Sequence, residues 1–378
     1  MSPRKKKKNT ASKPAADARN QTLQRLPAER AHADEIARLK QWDSHPVPPG
    51  WAMSPIAVEK FVLGDEEIGV SPKIVVDPGV VTRIVIALCT DRGCLLVGEP
   101  GTAKSWLSEL LAAAISGDSS LTIQGGAVSQ VNQLLYTWNE ALLQHGGPTP
   151  EALVPSPIYR GMRDGKIVRF EEVARCPQPL QDALLSILSD RMITIPEFSG
   201  EEGVLYSRAG FNVIATSNSI DEGVNRMSAA LKRRMNFEII PPIRRVDDEM
   251  AVVMREVARL NETSGIEVKL DEQVIEILVT IFHELRNGQS LSGRSTDRLA
   301  GATMSTAEAV SVAHALCIHA WYYSDGELRI DNLIHFIIGS ALKDQPEDRR
   351  RFRHYFDTEV AHKEGAYWRE AYAQRHLI

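Results

Sequence analysis

Residues 98–105 read Gly98-Glu99-Pro100-Gly101-Thr102-Ala103-Lys104-Ser105. They stand between a short apolar run, Cys94–Val97, and a helical pattern running from Lys104 to Ile115. This is the G-x-x-x-x-G-K-[ST] spacing with alanine in place of the second glycine. A strand that turns sharply into a helix aims successive backbone N–H groups at one point, at the positive end of the helix. The sequence therefore predicts a phosphate-binding loop. Gly98 and Gly101 would permit the tight path, Lys104 would reach the β- and γ-phosphates, and Ser105 would place its hydroxyl on a magnesium ion. Glu99, Pro100, Thr102, Ala103 and Trp106 complete the expected ATP-binding set.

Around this loop the pattern alternates. Apolar runs at 121–124, 167–170, 211–216 and 237–240 alternate with helical stretches at 104–115 and 179–189. Short apolar strands alternating with helices predict a parallel sheet covered on both faces, an α/β fold. After Pro242 strand runs stop and helical periods dominate, at 247–260, 271–286, 296–322 and 332–342. The expected organisation is a disordered basic leader over 1–50 and an ATP-binding core over 51–243. An all-helical domain would follow over 244–343, which the resemblance given below makes a lid, then a C-terminal helical tail over 344–378. Part of the leader, roughly 17–42, carries a sparse helical pattern. Its Arg4-Lys5-Lys6-Lys7-Lys8 run would contact nucleic acid or an acidic partner, or simply be a solvated end; the solvated reading is preferred.

Composition removes several classes. The chain of 378 residues has a net charge of −5, which gives no global push toward nucleic acid or a membrane surface. No stretch of eighteen apolar residues exists to span a bilayer, and the basic N-terminus lacks the apolar segment of a signal peptide. Cys89, Cys94, Cys176 and Cys317 form no CxxC pair, which argues against a zinc site and fits a reducing cytoplasm.

Further motifs follow the loop in order. Ile167–Phe170 ends in Glu171-Glu172, where the first acid would hold the metal and the second would activate water as general base. Phe211–Thr216 runs into Ser217-Asn218, a polar strand tip able to orient that water. Leu231-Lys232-Arg233-Arg234 precedes the last strand. Leu291-Ser292-Gly293-Arg294 precedes a helical pattern, with Arg298 one turn later.

This set, in this order, resembles the AAA+ P-loop NTPases. The alanine-bearing loop resembles that of the MoxR-like ATPases, over about 51–343. Gly161 to Leu188 is similar to the subgroup encoded beside von Willebrand A domain proteins. Glu171 departs from the usual aspartate, and Met235 from the usual phenylalanine. The resemblance implies a homo-oligomeric ring, often a hexamer, that hydrolyses ATP with Mg²⁺ to remodel a protein client. It also implies a von Willebrand A domain partner. Asn218 would be the sensor 1 residue. Arg234, with Arg233 second, would reach the γ-phosphate of the neighbouring subunit. Arg294 or Arg298 would contact phosphate from the lid. Two inserts, 127–150 and a hairpin spanning 193–207, would face the ring pore. Two rivals remain open: an assembly switch with little turnover, and a nucleic-acid remodeller that uses the basic leader.

Overall fold

The computed structural model describes residues 24–218, 227–299, 304–342 and 346–378. The strands are β1 (Gly93–Gly98), β2 (Thr122–Gln124), β3 (Tyr136–Trp138), β4 (Leu153–Pro155), β5 (Ile167–Glu171), β6 (Met192–Thr194), β7 (Val204–Tyr206), β8 (Asn212–Asn218) and β9 (Met235–Ile239). Five of them form one parallel sheet in the order β2-β5-β8-β1-β9. These are the five apolar runs of the sequence. For β1, β5 and β8 the continuous hydrophobicity is explained by helices on both sides, whereas the edge strand β9 leaves Phe237 and Ile239 exposed.

On one face the helix Lys104–Ser116 packs with Pro55–Leu63 and Pro78–Leu88, burying Val58, Phe61, Ile84, Leu107 and Leu111. On the other, Gln178–Asp190 buries Leu180, Leu184 and Leu188 against Phe170 and Val213. Local sequence sets the ends of these helices. Ser54 caps the first by accepting the Ala57 N–H at 3.2 Å, with Pro55 in the first turn. Gly117 ends the central helix in the left-handed conformation at φ 65°.

The N-terminal expectation needs correction. Residues 24–50 are not a disordered leader: helices Ala28–Ala31 and Ala33–Trp42 lie on the core, with Ala28 and Leu39 fully buried. The pattern was sparse because charge does much of the anchoring. Arg25 meets Glu109 at 2.6 Å, and Glu35 meets the buried Lys73 at 2.8 Å. The Arg4–Lys8 run lies outside the described residues.

A second core lies in the helical half, built from Val253, Val257, Leu278, Phe282 and Leu316. Phe352, Tyr355, Phe356 and Ile378 belong to the same core, so residues 346–378 are part of this body and not a tail. The Tyr355 hydroxyl donates to Glu284, and Lys363 Nζ reaches the same carboxylate at 2.8 Å. The expected boundary at 343/344 lies outside the described residues.

The helix expected over 296–322 is also corrected. It begins only at Thr306 and runs to Tyr323. Ser305 and Glu308 form a reciprocal cap there, Ser305 Oγ accepting the Glu308 N–H at 3.3 Å and Glu308 accepting the Ser305 N–H at 2.9 Å. Among the described residues no helix is long and apolar enough to cross a membrane.

Candidate functional site

The loop after β1 is wound as its residues require. Thr102 Oγ1 donates to the Glu99 carbonyl at 2.9 Å, closing a turn. Gly101 (φ 79°) and Ala103 (φ 60°) both take the left-handed conformation, and the Lys104–Ser116 helix begins immediately after. The chain thus reverses tightly just before a helix N-terminus, the loop form that suits a phosphate. A Cβ on Gly98 would stand 2.4 Å from the Ile240 carbonyl oxygen, so glycine is required there. Lys104 is 7% exposed. Its Nζ donates to the carbonyls of Gly98 at 3.0 Å and Glu99 at 2.7 Å. Trp106 turns away: its Nε1 donates to the Lys73 carbonyl at 3.2 Å, and its ring packs near His32.

Glu171 is the centre of the site. Its Oε2 accepts from Ser105 Oγ at 2.6 Å and Thr216 Oγ1 at 2.7 Å. Its Oε1 accepts from Ser108 Oγ at 2.7 Å and Arg169 Nη2 at 3.0 Å. Burial alone would raise this carboxyl. The three hydroxyl donors and the Arg169 charge outweigh it and hold Glu171 below its ordinary value, as a carboxylate. Ser105 and Glu171 present two hard oxygens side by side, a donor set that fits Mg²⁺.

Glu172 follows in a left-handed turn (φ 55°) that carries its side chain off the sheet edge. Its N–H donates to Thr216 Oγ1 at 3.0 Å, and its carboxylate, 41% exposed, pairs with Arg175 Nε at 3.2 Å. Asn218 ends β8 directly opposite Gly98 of β1. The structure therefore brings Lys104, Ser105, Glu171, Glu172 and Asn218 to one carboxyl edge of the sheet, where open α/β sheets bind ligands.

Arg233 and Arg234 are elsewhere. Both are exposed at the end of the Ala229–Arg233 helix. The Arg234 carbonyl accepts the Gly93 N–H at 3.1 Å, at the amino end of β1. A six-residue strand separates that point from the loop by roughly 16 Å. Arg294 is exposed, its backbone tied to Ser290. Arg298 is not on a helix, but its Nη2 lies 3.3 Å from Glu99 Oε1 on the loop itself. Ser305 of the helical half also approaches the exposed Gly101, where an added Cβ would stand 2.1 Å from Ser305 Cβ.

Both inserts form. Residues 127–150 hold helices Val131–Leu135 and Glu140–Gly146 flanking β3, which pairs with β4. β6 and β7 make an antiparallel hairpin. The two are joined through Glu197, which accepts from Tyr136 Oη at 2.9 Å and Trp138 Nε1 at 3.2 Å.

The sequence reading missed Arg169, Ser108 and Thr216. Two signals were present. Arg169 shares a strand face with Glu171, two residues on, and Ser108 lies one helical turn after Ser105. Thr216 becomes visible only from the parallel register that sets Phe170 beside Ala215.

Comparison with known proteins finds family matches over both halves of the chain. Residues 93–235 match the family described as AAA domain (dynein-related subfamily), and residues 247–378 match the YehL-like AAA+ ATPase C-terminal domain. The uncharacterized protein YehL of Escherichia coli (strain K12) is 52% identical over 360 residues, 95% of this chain and 99% of that protein. Chaperone MoxR1 of Mycobacterium tuberculosis (strain ATCC 25618 / H37Rv) is 27% identical over 223 residues, 56% of this chain and 52% of MoxR1. Among solved structures, NtrX from Brucella abortus in complex with ADP aligns with a TM-score of 0.48 and 13% identity, over 81% of this chain and 65% of that one.

Proposed function

From a chain that belongs to the YehL-like AAA+ ATPases, a MoxR-like group, we propose a ring-forming ATPase that hydrolyses ATP to remodel a protein client. One observation carries the reading. The groups for binding phosphate and activating water converge at one sheet edge, while Arg234 lies at the opposite edge, out of reach of its own loop.

In this reading the loop amides and Lys104 bind the β- and γ-phosphates. Ser105 and Glu171 would hold Mg²⁺, which when bound neutralises charge on the phosphate oxygens. Glu172 takes a proton from the attacking water and Asn218 orients that water. Glu172 must first leave Arg175. Arg234, with Arg233 beside it, serves the neighbouring subunit's site, where its guanidinium stabilises charge on the transferred phosphoryl group. Arg298 couples the helical half to the loop. The joined inserts around Glu197 are the surface offered to a client. A hexamer, a von Willebrand A domain partner and a cytoplasmic setting belong to the same proposal.

The Glu172–Arg175 pair also favours a second reading, an assembly switch with little turnover, since it engages the general base.

The test is ATP turnover by the purified protein across a concentration series, beside Lys104→Ala and Arg234→Ala. The expected specific rate rises with concentration, and each variant loses about 100-fold or more. Mixing the two variants should restore part of the rate, because a Lys104-intact site then meets an Arg234-intact neighbour. A flat, near-zero rate with ATP still bound favours the switch. Turnover unaffected by Arg234→Ala removes the shared site.

A further inference from the structure

Arg169 is 8% exposed and lies under the site rather than in it. Its fork is fully engaged. Nε donates to Ser108 Oγ at 3.0 Å, Nη1 to the Ser119 carbonyl at 3.2 Å, and Nη2 to both the Ser105 carbonyl and Glu171 Oε1 at 3.0 Å. A second carboxylate, Glu109, stands 3.8 Å from Nη1 on the same helix as Ser105. Glu109 in turn accepts Arg25 Nη2 at 2.6 Å and the Ala28 N–H at 3.2 Å. A chain of ion pairs therefore runs Arg25–Glu109–Arg169–Glu171, and Glu171 in turn accepts the Ser105 hydroxyl of the site.

Glutamate at position 171 makes such a brace necessary. It has one more rotatable bond than aspartate, and an unrestrained carboxylate would sweep past the Ser105 hydroxyl. Arg169 and Ser108 hold Oε1, which leaves Oε2 facing Ser105. Nη2 reaches the helix carbonyl and the carboxylate at once, while Nε and Nη1 of the same planar guanidinium are held by Ser108 and Ser119. We infer that Arg169 is a positioning residue. It fixes the Glu171 carboxylate beside Ser105 for a divalent cation, and Arg25 docked on Glu109 sets how Arg169 is shared between two carboxylates. The inference rests on the reading of Ser105 and Glu171 as the cation-holding pair.

The experiment is a Mg²⁺ titration of fluorescent ATP-analogue binding by the full chain, carried out as a double-mutant cycle of Arg169→Gln and Glu171→Gln. Arg169→Gln is expected to raise half-saturating Mg²⁺ about tenfold, with binding in EDTA unchanged. In the Glu171→Gln background the same substitution should add less than about twofold. An equal loss in both backgrounds, or lost binding in EDTA, assigns Arg169 to packing alone and overturns the inference. If Arg169→Gln does not fold, Arg25→Ala serves, since that side chain is 71% exposed. It should raise half-saturating Mg²⁺ roughly threefold, again only with Glu171 intact; no shift overturns the inference. A wild type whose analogue binding ignores Mg²⁺ instead sinks the cation-site reading, and this inference with it.

Discussion

Arg298 Nη2 stands 3.3 Å from Glu99 Oε1, joining the helical half to the phosphate loop across 199 residues of sequence. The Arg298 backbone is itself held, its carbonyl accepting Arg351 Nη1 at 2.7 Å. A single exposed carboxylate holds an arginine weakly, whereas a phosphate offers stronger, charge-assisted hydrogen bonds. In the proposed function Glu99 would hold Arg298 beside the loop until a nucleotide's phosphates took it over. Arg298→Ala is expected to weaken ATP binding about tenfold, the scale of one charge-assisted hydrogen bond. Arg294→Ala should stay within about twofold, as its side chain is exposed and, among the described residues, makes no hydrogen bond or ion pair with the site. Fluorescence titration with an ATP analogue decides between the two arginines that the sequence left open. The reverse ranking would sink the assignment.

Ala103 holds φ 60° where the loop pattern ordinarily has glycine. A Cβ in the left-handed region costs about 1–2 kcal/mol. Replacing it with glycine loosens the unfolded chain, which costs about 0.4–1 kcal/mol. The strain term is the larger. Ala103 is exposed, so little packing is lost with its methyl group. Ala103→Gly is therefore expected to raise stability by about 0.5–1 kcal/mol, with ATP binding retained. Urea unfolding reads the change, and a lowered midpoint would show that the methyl group makes a contact outweighing the strain.

The loop, both acids of the Glu171-Glu172 pair and the place of Asn218 were legible because each is a local signal: a strand end with a specific residue type on it. Ser108, Thr216 and Arg169 were not. They are ordinary residues until the register of β5 on β8 and one helical turn from Ser105 bring them to a single carboxylate. Arg298 was placed on a helix that does not reach it. The reciprocal cap Ser305-Thr306-Ala307-Glu308 was in the sequence, and read as a helix start it would have set that boundary. A sparse helical pattern over 17–42 was legible, but the docking of those helices on the core was missed for another reason. Their docking depends on charges from 109 and 73, far along the chain, and no window over 24–50 contains them.

That docking has a pH signature. Glu35 accepts the Ser71 N–H at 2.8 Å and Ser71 Oγ at 2.7 Å, and it pairs with Lys73 Nζ at 2.8 Å. Burial alone would raise the Glu35 carboxyl, but Lys73 and Ser71 bring it down from 4.5 to about 2. A carboxyl depressed on folding stabilises the fold above its unfolded pKa, and that contribution is lost as pH falls through the folded value. The window therefore runs from pH 4.5 down to about 2. Glu35→Gln removes the charge at every pH and leaves Lys73, 5% exposed and seated over the Phe61 ring, without its carboxylate. At pH 7 the variant is expected to be less stable by about 1–2 kcal/mol, discounted for solvent screening at a partly exposed carboxylate. Below pH 4.5 the unfolded wild-type chain takes up the Glu35 proton while the folded protein keeps the carboxylate ionised to about 2, so the gap should narrow steadily toward pH 2. Thermal unfolding of both proteins at pH 7, 4 and 3 measures it. A gap that stays constant over that range would mean that Glu35 supports the N-terminal helices through shape rather than charge.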